Sequence, residues 1–187
     1  MKLKLLAASL ATSLVLATGA IAGDMAAKQN PKVGGAAMLP TKDIVDNAVN
    51  SKDHTTLVAA VRAAGLVDTL KGEGPFTVFA PTNAAFSALP VGTVDTLLKP
   101  ENKGTLTSVL TYHVVPGKLD ASSIAGKIGE GNGTATLTTV QGETLTAKAK
   151  GNGITLTDSK GNVASVTIAN VYQSNGVIHV IDKVLMP

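Results

Sequence analysis

The sequence predicts a single α+β domain with N-terminal helices packed on a hairpin-rich β wedge. Two observations carry this reading. Apolar residues recur at helical spacing up to Leu110, and from Tyr112 onward the period drops to two, with turn residues between the alternating runs. Helices first and hairpins afterwards exclude a regular βαβ alternation. The chain has 187 residues and no cysteine, so packing alone must hold the domain together. No internal repeat is visible, so one copy of the unit is expected.

Residues 1–22 read as a signal peptide. MKLK is a positive n-region, LLAASLATSLVLA an apolar h-region, and Ala20-Ile21-Ala22 a small-x-small cleavage signal. Cleavage after Ala22 is expected. The apolar stretch lacks the length and flanks of a stop-transfer helix, so the mature chain is expected to be exported, to the periplasm or the cell exterior, with no membrane span. The leader carries Lys2 and Lys4 and no acid; without it 14 basic residues face 13 acidic ones, a net charge of +1. That balance, with three phenylalanines and two tyrosines as the only aromatics, argues against a nucleic-acid partner.

Gly23 to Pro40 is small, polar and punctuated by Gly and Pro, and reads as a flexible spacer (residues 23–38) before the domain at 39–187. Thr41 is the expected cap of a helix over DIVDNAVNS, with Ile44, Val45, Ala48 and Val49 on one stripe. Thr55 or Thr56 opens a second helix, which Gly65 stops; Leu66, Val67 and Leu70 continue as a short turn. Phe76 to Ala80 is an apolar run read as a strand that Pro81 ends, and Thr82 or Asn83 caps the next helix, whose Phe86 and Leu89 face the core. Thr93 begins a short helix stopped at Lys99-Pro100, and Asn102 caps one with Leu106, Val109 and Leu110 buried. Tyr112 to Val115 reads as a strand. Alternating runs follow at Thr134–Val140, Glu143–Ala149, Ile154–Thr157, Val163–Ile168 and Val177–Ile181.

The search for chemistry finds little. There is no G-x-S-x-G elbow and no thiol, and GEGNGT (129–134) precedes strands, so it reads as a turn and not a phosphate loop. Asn132-Gly133-Thr134 fits a glycosylation sequon, which matters only in a host that reads it. His54 lies in a polar helix-start region and reads as solvated. His113 and His179 sit in apolar runs and would be neighbours if their strands paired, yet two imidazoles without a third ligand make a weak metal site. Asp43 and Asp46 fit a helix N-terminus, and Asp182 fits a turn acceptor. No catalytic residue, cofactor or metal is expected. If Tyr112 and His113 share a strand, they face opposite sides and form no catalytic pair.

Three blocks resemble the fasciclin-like domain family. They are Thr77-Val-Phe-Ala-Pro-Thr-Asn-Ala-Ala-Phe86, Tyr112-His113-Val114, and Gly176-Val-Ile-His-Val-Ile-Asp-Lys-Val-Leu185 with Met186 and Pro187. Their order and spacing agree with the family, and the resemblance spans about Leu39 to Pro187. It implies helices around a β wedge and a non-enzymatic role in adhesion, binding protein or polysaccharide at the cell surface or in the matrix. Carried over by position, the motif residues are Thr77, Phe79, Pro81, Thr82, Asn83, Phe86, Tyr112, His113, His179 and Asp182, structural or partner-contacting, with Tyr112 the one kept for partner contact. A monomer with one copy of the domain is expected. The alternative, from the apolar composition and a seam between helices and sheet, is an exported binder of a small apolar ligand.

Overall fold

A computed structural model describes residues 30–187; the expected leader lies outside the described residues. The α+β reading holds. A hairpin of β1 (Lys32–Val33) and β2 (Ala36–Ala37) precedes four helices, α1 (Ile44–Ala48), α2 (Thr55–Ala64), α3 (Val67–Lys71) and, after strand β3 (Phe76–Pro81), α4 (Asn83–Ser87). Then come α5 (Thr93–Leu97), α6 (Lys103–Tyr112), β4 (Val114–Pro116) and α7 (Ala121–Glu130). The chain ends in β5 (Thr134–Thr138), β6 (Thr144–Lys150), β7 (Gly153–Thr157), β8 (Val163–Gln173) and β9 (Gly176–Ile181). β3 to β9 form one sheet in the order β4-β3-β9-β8-β7-β6-β5. The two ends approach each other: the Val140 N–H donates to the Val114 carbonyl at 2.7 Å, which folds the sheet into a wedge.

All the ladders are antiparallel except one. β3 runs parallel to β9 in the register Phe76↔Gly176 through Pro81↔Ile181. The pair is buried on both faces. Val78, Ala80, Ile178 and Val180 face the helices, while Phe79 and Ile181 face a second core inside the wedge with Tyr112, Ile124, Leu145 and Leu156. Strands covered on both sides read as continuous apolar runs, as FTVFA and VIHVI do. Gly176 allows the close approach at the start of this pair: a Cβ there would collide with the Phe76 carbonyl oxygen.

Several expectations need correction. Residues 30–38, read as part of a flexible spacer, are structured: Val33 and Met38 are buried in the first core, and the Asn30 side-chain amide accepts from the Tyr172 N–H at 2.8 Å and donates to its carbonyl at 2.5 Å. Asp43, not Thr41, caps α1 by accepting from the Asp46 N–H at 2.7 Å. Tyr112 ends helix α6, because Leu106, Val109, Leu110 and His113 continue the helical stripe past the expected boundary. β8 runs to Gln173, five residues beyond the expected Ile168, through register shifts between Val166 and Val171. Helix α7 was not expected, yet Asp120 caps it by accepting from the Ser123 N–H at 2.8 Å, and its Ile124 and Ile128 are buried one turn apart.

Buried amides join elements that are distant in sequence. Asn175, in the β8–β9 turn, accepts from the Ile44 N–H at 3.1 Å and donates to the carbonyls of Leu70 at 2.8 Å and Gly72 at 3.0 Å. One side chain thus serves the start of α1 and the end of α3, where helix termini leave backbone groups unpaired. Asn47 likewise brackets Leu39, accepting from its N–H at 3.0 Å and donating to its carbonyl at 2.7 Å, and also donates to Gln173 Oε1. Asn175→Ala strands three backbone groups, so a loss of about 2–3 kcal/mol is expected. Urea denaturation checks this: the midpoint should fall with an unchanged slope, and an unchanged midpoint contradicts the bridging role.

Candidate functional site

The three motif blocks converge on the β3–β9 wall. On the face toward the second core, Thr77 and His179 clamp the loop after β4 from Gly117 to Leu119. The Thr77 hydroxyl accepts from the Leu119 N–H at 2.8 Å and donates to the Gly117 carbonyl at 2.6 Å, and His179 Nε2 donates to the Leu119 carbonyl at 2.8 Å. Phe79 stacks on the His179 ring with centroids 5.7 Å apart. Since a carbonyl only accepts, His179 carries its proton on Nε2, and Nδ1 accepts the long 3.4 Å bond from the Asn170 N–H.

At the strand-to-helix corner, Pro81 closes β3 and the Thr82 hydroxyl caps α4 by accepting from the Ala85 N–H at 3.2 Å. Asn83, the alternative cap, serves a different helix. It accepts from the Thr56 N–H at 3.0 Å and the Thr55 hydroxyl at 3.2 Å, and donates to the Lys52 carbonyl at 2.8 Å, so it caps α2 from outside. Phe86 is buried in the first core. Asp182 accepts from the Ser165 N–H at 2.7 Å while its own N–H donates to the Ser165 carbonyl at 3.2 Å, a cross-strand pairing and not a turn.

Tyr112 and His113 do point apart, but for a helical reason: consecutive residues on a helix differ by about 100°. Tyr112 is fully buried in the second core, its hydroxyl donating to the Thr144 carbonyl at 3.1 Å and accepting from the Ser159 N–H at 3.0 Å. The Tyr112 side chain is thus committed to the interior, with both hydroxyl bonds going to the chain's own backbone. His113 Nδ1 donates to the Val109 carbonyl at 2.8 Å, and Nε2 accepts from the Leu185 N–H at 3.0 Å. These two bonds tie the end of α6 to the C-terminal segment and fix a neutral ring. Beside it, Asp158 accepts from the Met186 N–H at 3.0 Å and from the β7–β8 turn, so the chain end is held twice.

His113 and His179 are not neighbours. β3 lies between them: Phe79 donates its N–H to the His113 carbonyl at 2.9 Å and stands opposite His179 in the parallel register. His54 is not solvated. It is 3% exposed, with Nδ1 2.8 Å from the Ser51 hydroxyl and Nε2 without a hydrogen-bond partner. The polar text of SKDHTT misled here, because the α4 corner covers the site.

Between the helices and the β3–β9 wall lies a cavity of about 70 Å³, lined almost wholly by apolar side chains such as Val45, Leu57, Val61, Val78 and Ile178, with His54 in its wall. Burial is the main force on all three histidines and pushes each below the ordinary imidazole value. For His54 the Ala80 backbone and Asp53 pull the other way, for His179 the Leu119 carbonyl and Asp120 do so, and His113 falls to about 4 against the Val109 carbonyl and Asp158.

A folded value below the unfolded one means the unfolded chain binds the proton first, so stability falls as pH drops from about 6.5 to about 4. His113 alone accounts for about 3 kcal/mol across that window. His113→Ala strands the Leu185 N–H and the Val109 carbonyl, with an expected loss of about 1–3 kcal/mol at neutral pH and a shallower acid slope. Thermal melts of both proteins from pH 7 to 4.5 check this; an unchanged melting temperature in the variant, or equal slopes, contradicts it.

Comparison with known proteins agrees with this geometry. The family described as Fasciclin domain matches residues 52–187. Protein sll1483 of Synechocystis is 47% identical over 175 residues, covering 94% of this chain and 90% of its own. The cell surface glycolipoprotein MPB83 of Mycobacterium bovis is 38% identical over 167 residues, covering 86% of this chain and 68% of its own. A solved FAS1 domain pair from the insect cell adhesion molecule Fasciclin I shares the fold, with a TM-score of 0.56 at 22% identity over 75% of this chain and 45% of that one. With three motif blocks on one wall, and a family match from Lys52, just before α2, to Pro187, this chain belongs to the fasciclin domain family.

Proposed function

We propose that the chain is an exported, non-catalytic interaction domain acting at the cell surface or in the matrix, where it binds protein or polysaccharide. The observation that carries this reading is where the motif chemistry goes. Thr77, Tyr112, His113 and His179 are buried, and each of their polar side-chain groups is committed to the chain's own backbone. Such residues make a scaffold, and a partner must then meet exposed side chains elsewhere on it. The surface setting of MPB83 and the adhesion molecule that shares the fold point the same way. Among the described residues no helix is long and apolar enough to cross a membrane. Export would follow cleavage of residues 1–22, giving a mature chain that starts at Gly23.

A strain lacking this chain tests the adhesive role. Surface attachment and biofilm mass should fall, and the purified mature domain added outside the cells should restore them. Unchanged attachment and envelope behaviour in that strain contradicts the reading.

A further inference from the structure

The cavity between the helices and the β3–β9 wall is a feature that the interaction reading leaves unexplained. Its lining is apolar nearly throughout, and its volume of about 70 Å³ exceeds the roughly 10–15 Å³ that a single water needs. An apolar wall gives water too few partners, so such a space tends to stay dry and to accept apolar solutes. Ser51, Arg62, Thr69 and Thr111 also reach the wall, but His54 stands out among them. The residue is 3% exposed with Nδ1 2.8 Å from the Ser51 hydroxyl, and Nε2 completes no well-formed hydrogen bond, although the Ala80 backbone is near enough to favour a proton on the ring. The motif histidines differ in this respect, because both nitrogens of His113 and of His179 are engaged by backbone groups.

We infer that this cavity is a binding site for a small, mainly apolar molecule carrying one hydroxyl, with the hydroxyl on His54 Nε2 and the apolar part against Val45, Leu57, Val61 and Ile178. The serine beside His54 makes the hydroxyl the natural match. A serine oxygen both donates and accepts, so the ring can take either tautomer and Nε2 can accept or donate accordingly. A hydroxyl answers both states. A purely apolar solute leaves Nε2 unpaired, a cation finds no carboxylate in the wall, and Arg62, the one ionised residue of the lining, is exposed to solvent. The volume limits the enclosed part to a few non-hydrogen atoms. This inference does not rest on the adhesive reading.

The test uses 1-propanol as the hydroxylated probe and xenon as the apolar one, on the purified mature chain. Nuclear magnetic resonance titration with 1-propanol should give saturable shifts in the methyls of Val45, Leu57, Val61 and Ile178 and in the His54 ring nitrogens. His54→Leu should bind 1-propanol about tenfold more weakly, while xenon binding is kept because the apolar space remains. His54→Gln, which keeps a polar group, should recover part of the difference and serves where the leucine variant fails to fold. Equal 1-propanol affinity in the wild type and either His54 variant overturns the proposal. So do non-saturable shifts, or saturable shifts at residues away from the cavity.

Discussion

One imidazole joins the middle of the chain to its C-terminal segment. By donating to Val109 and accepting from Leu185, His113 fastens the last turn of α6 to the chain terminus, 72 residues further on. Both partners are buried backbone groups, so neither has water as a substitute. The bond pair also fixes which nitrogen carries the proton, and burial keeps the ring neutral. Asp158 secures the next residue, Met186, and the Tyr112 hydroxyl meets Ser159 beside it. The tyrosine-histidine block therefore works as two anchors, one sent into each core.

These anchors matter because the central wall pairs strands that are far apart in the chain. β3 and β9 pair in parallel although about a hundred residues separate them, and closing so long a loop is entropically expensive. The wall divides the interior into two cores and must be covered on both faces to be stable. Thr77 and His179 fix the loop that leads into α7 on one side, while Asn83 and Asn175 fix helix termini on the other. The residues that make the family recognisable are largely those that satisfy backbone groups around this wall. Their chemistry is directed inward, which frees the outer surface to vary in what it meets.

Much of this was legible in the sequence, and what was not has physical reasons. The strand-to-helix corner at Pro81-Thr82, the Gly65 stop and the hairpins from β5 to β7 follow from local rules of capping and alternation. The parallel β3–β9 pairing had a trace in the two unbroken apolar runs, but local spacing names no partner. Tyr112 and His113 sit where β-branched neighbours suggest a strand, and the helical stripe from Leu106 overrides them. Asn83 and Asn175 read as ordinary cap and turn residues because their bridging partners are distant in sequence. His54 is surrounded by polar text, and its burial follows from packing that no short window contains.

The central claim is that the histidine of the motif is a neutral structural tie. Long-range proton–nitrogen correlation spectra of the imidazoles, recorded across a pH titration, test it most directly. For His113 the account predicts a protonated Nδ1, an unprotonated Nε2 and no titration until the pH approaches about 4. A His113 ring that titrates near the ordinary imidazole value of about 6.5, or that carries its proton on Nε2, would contradict it.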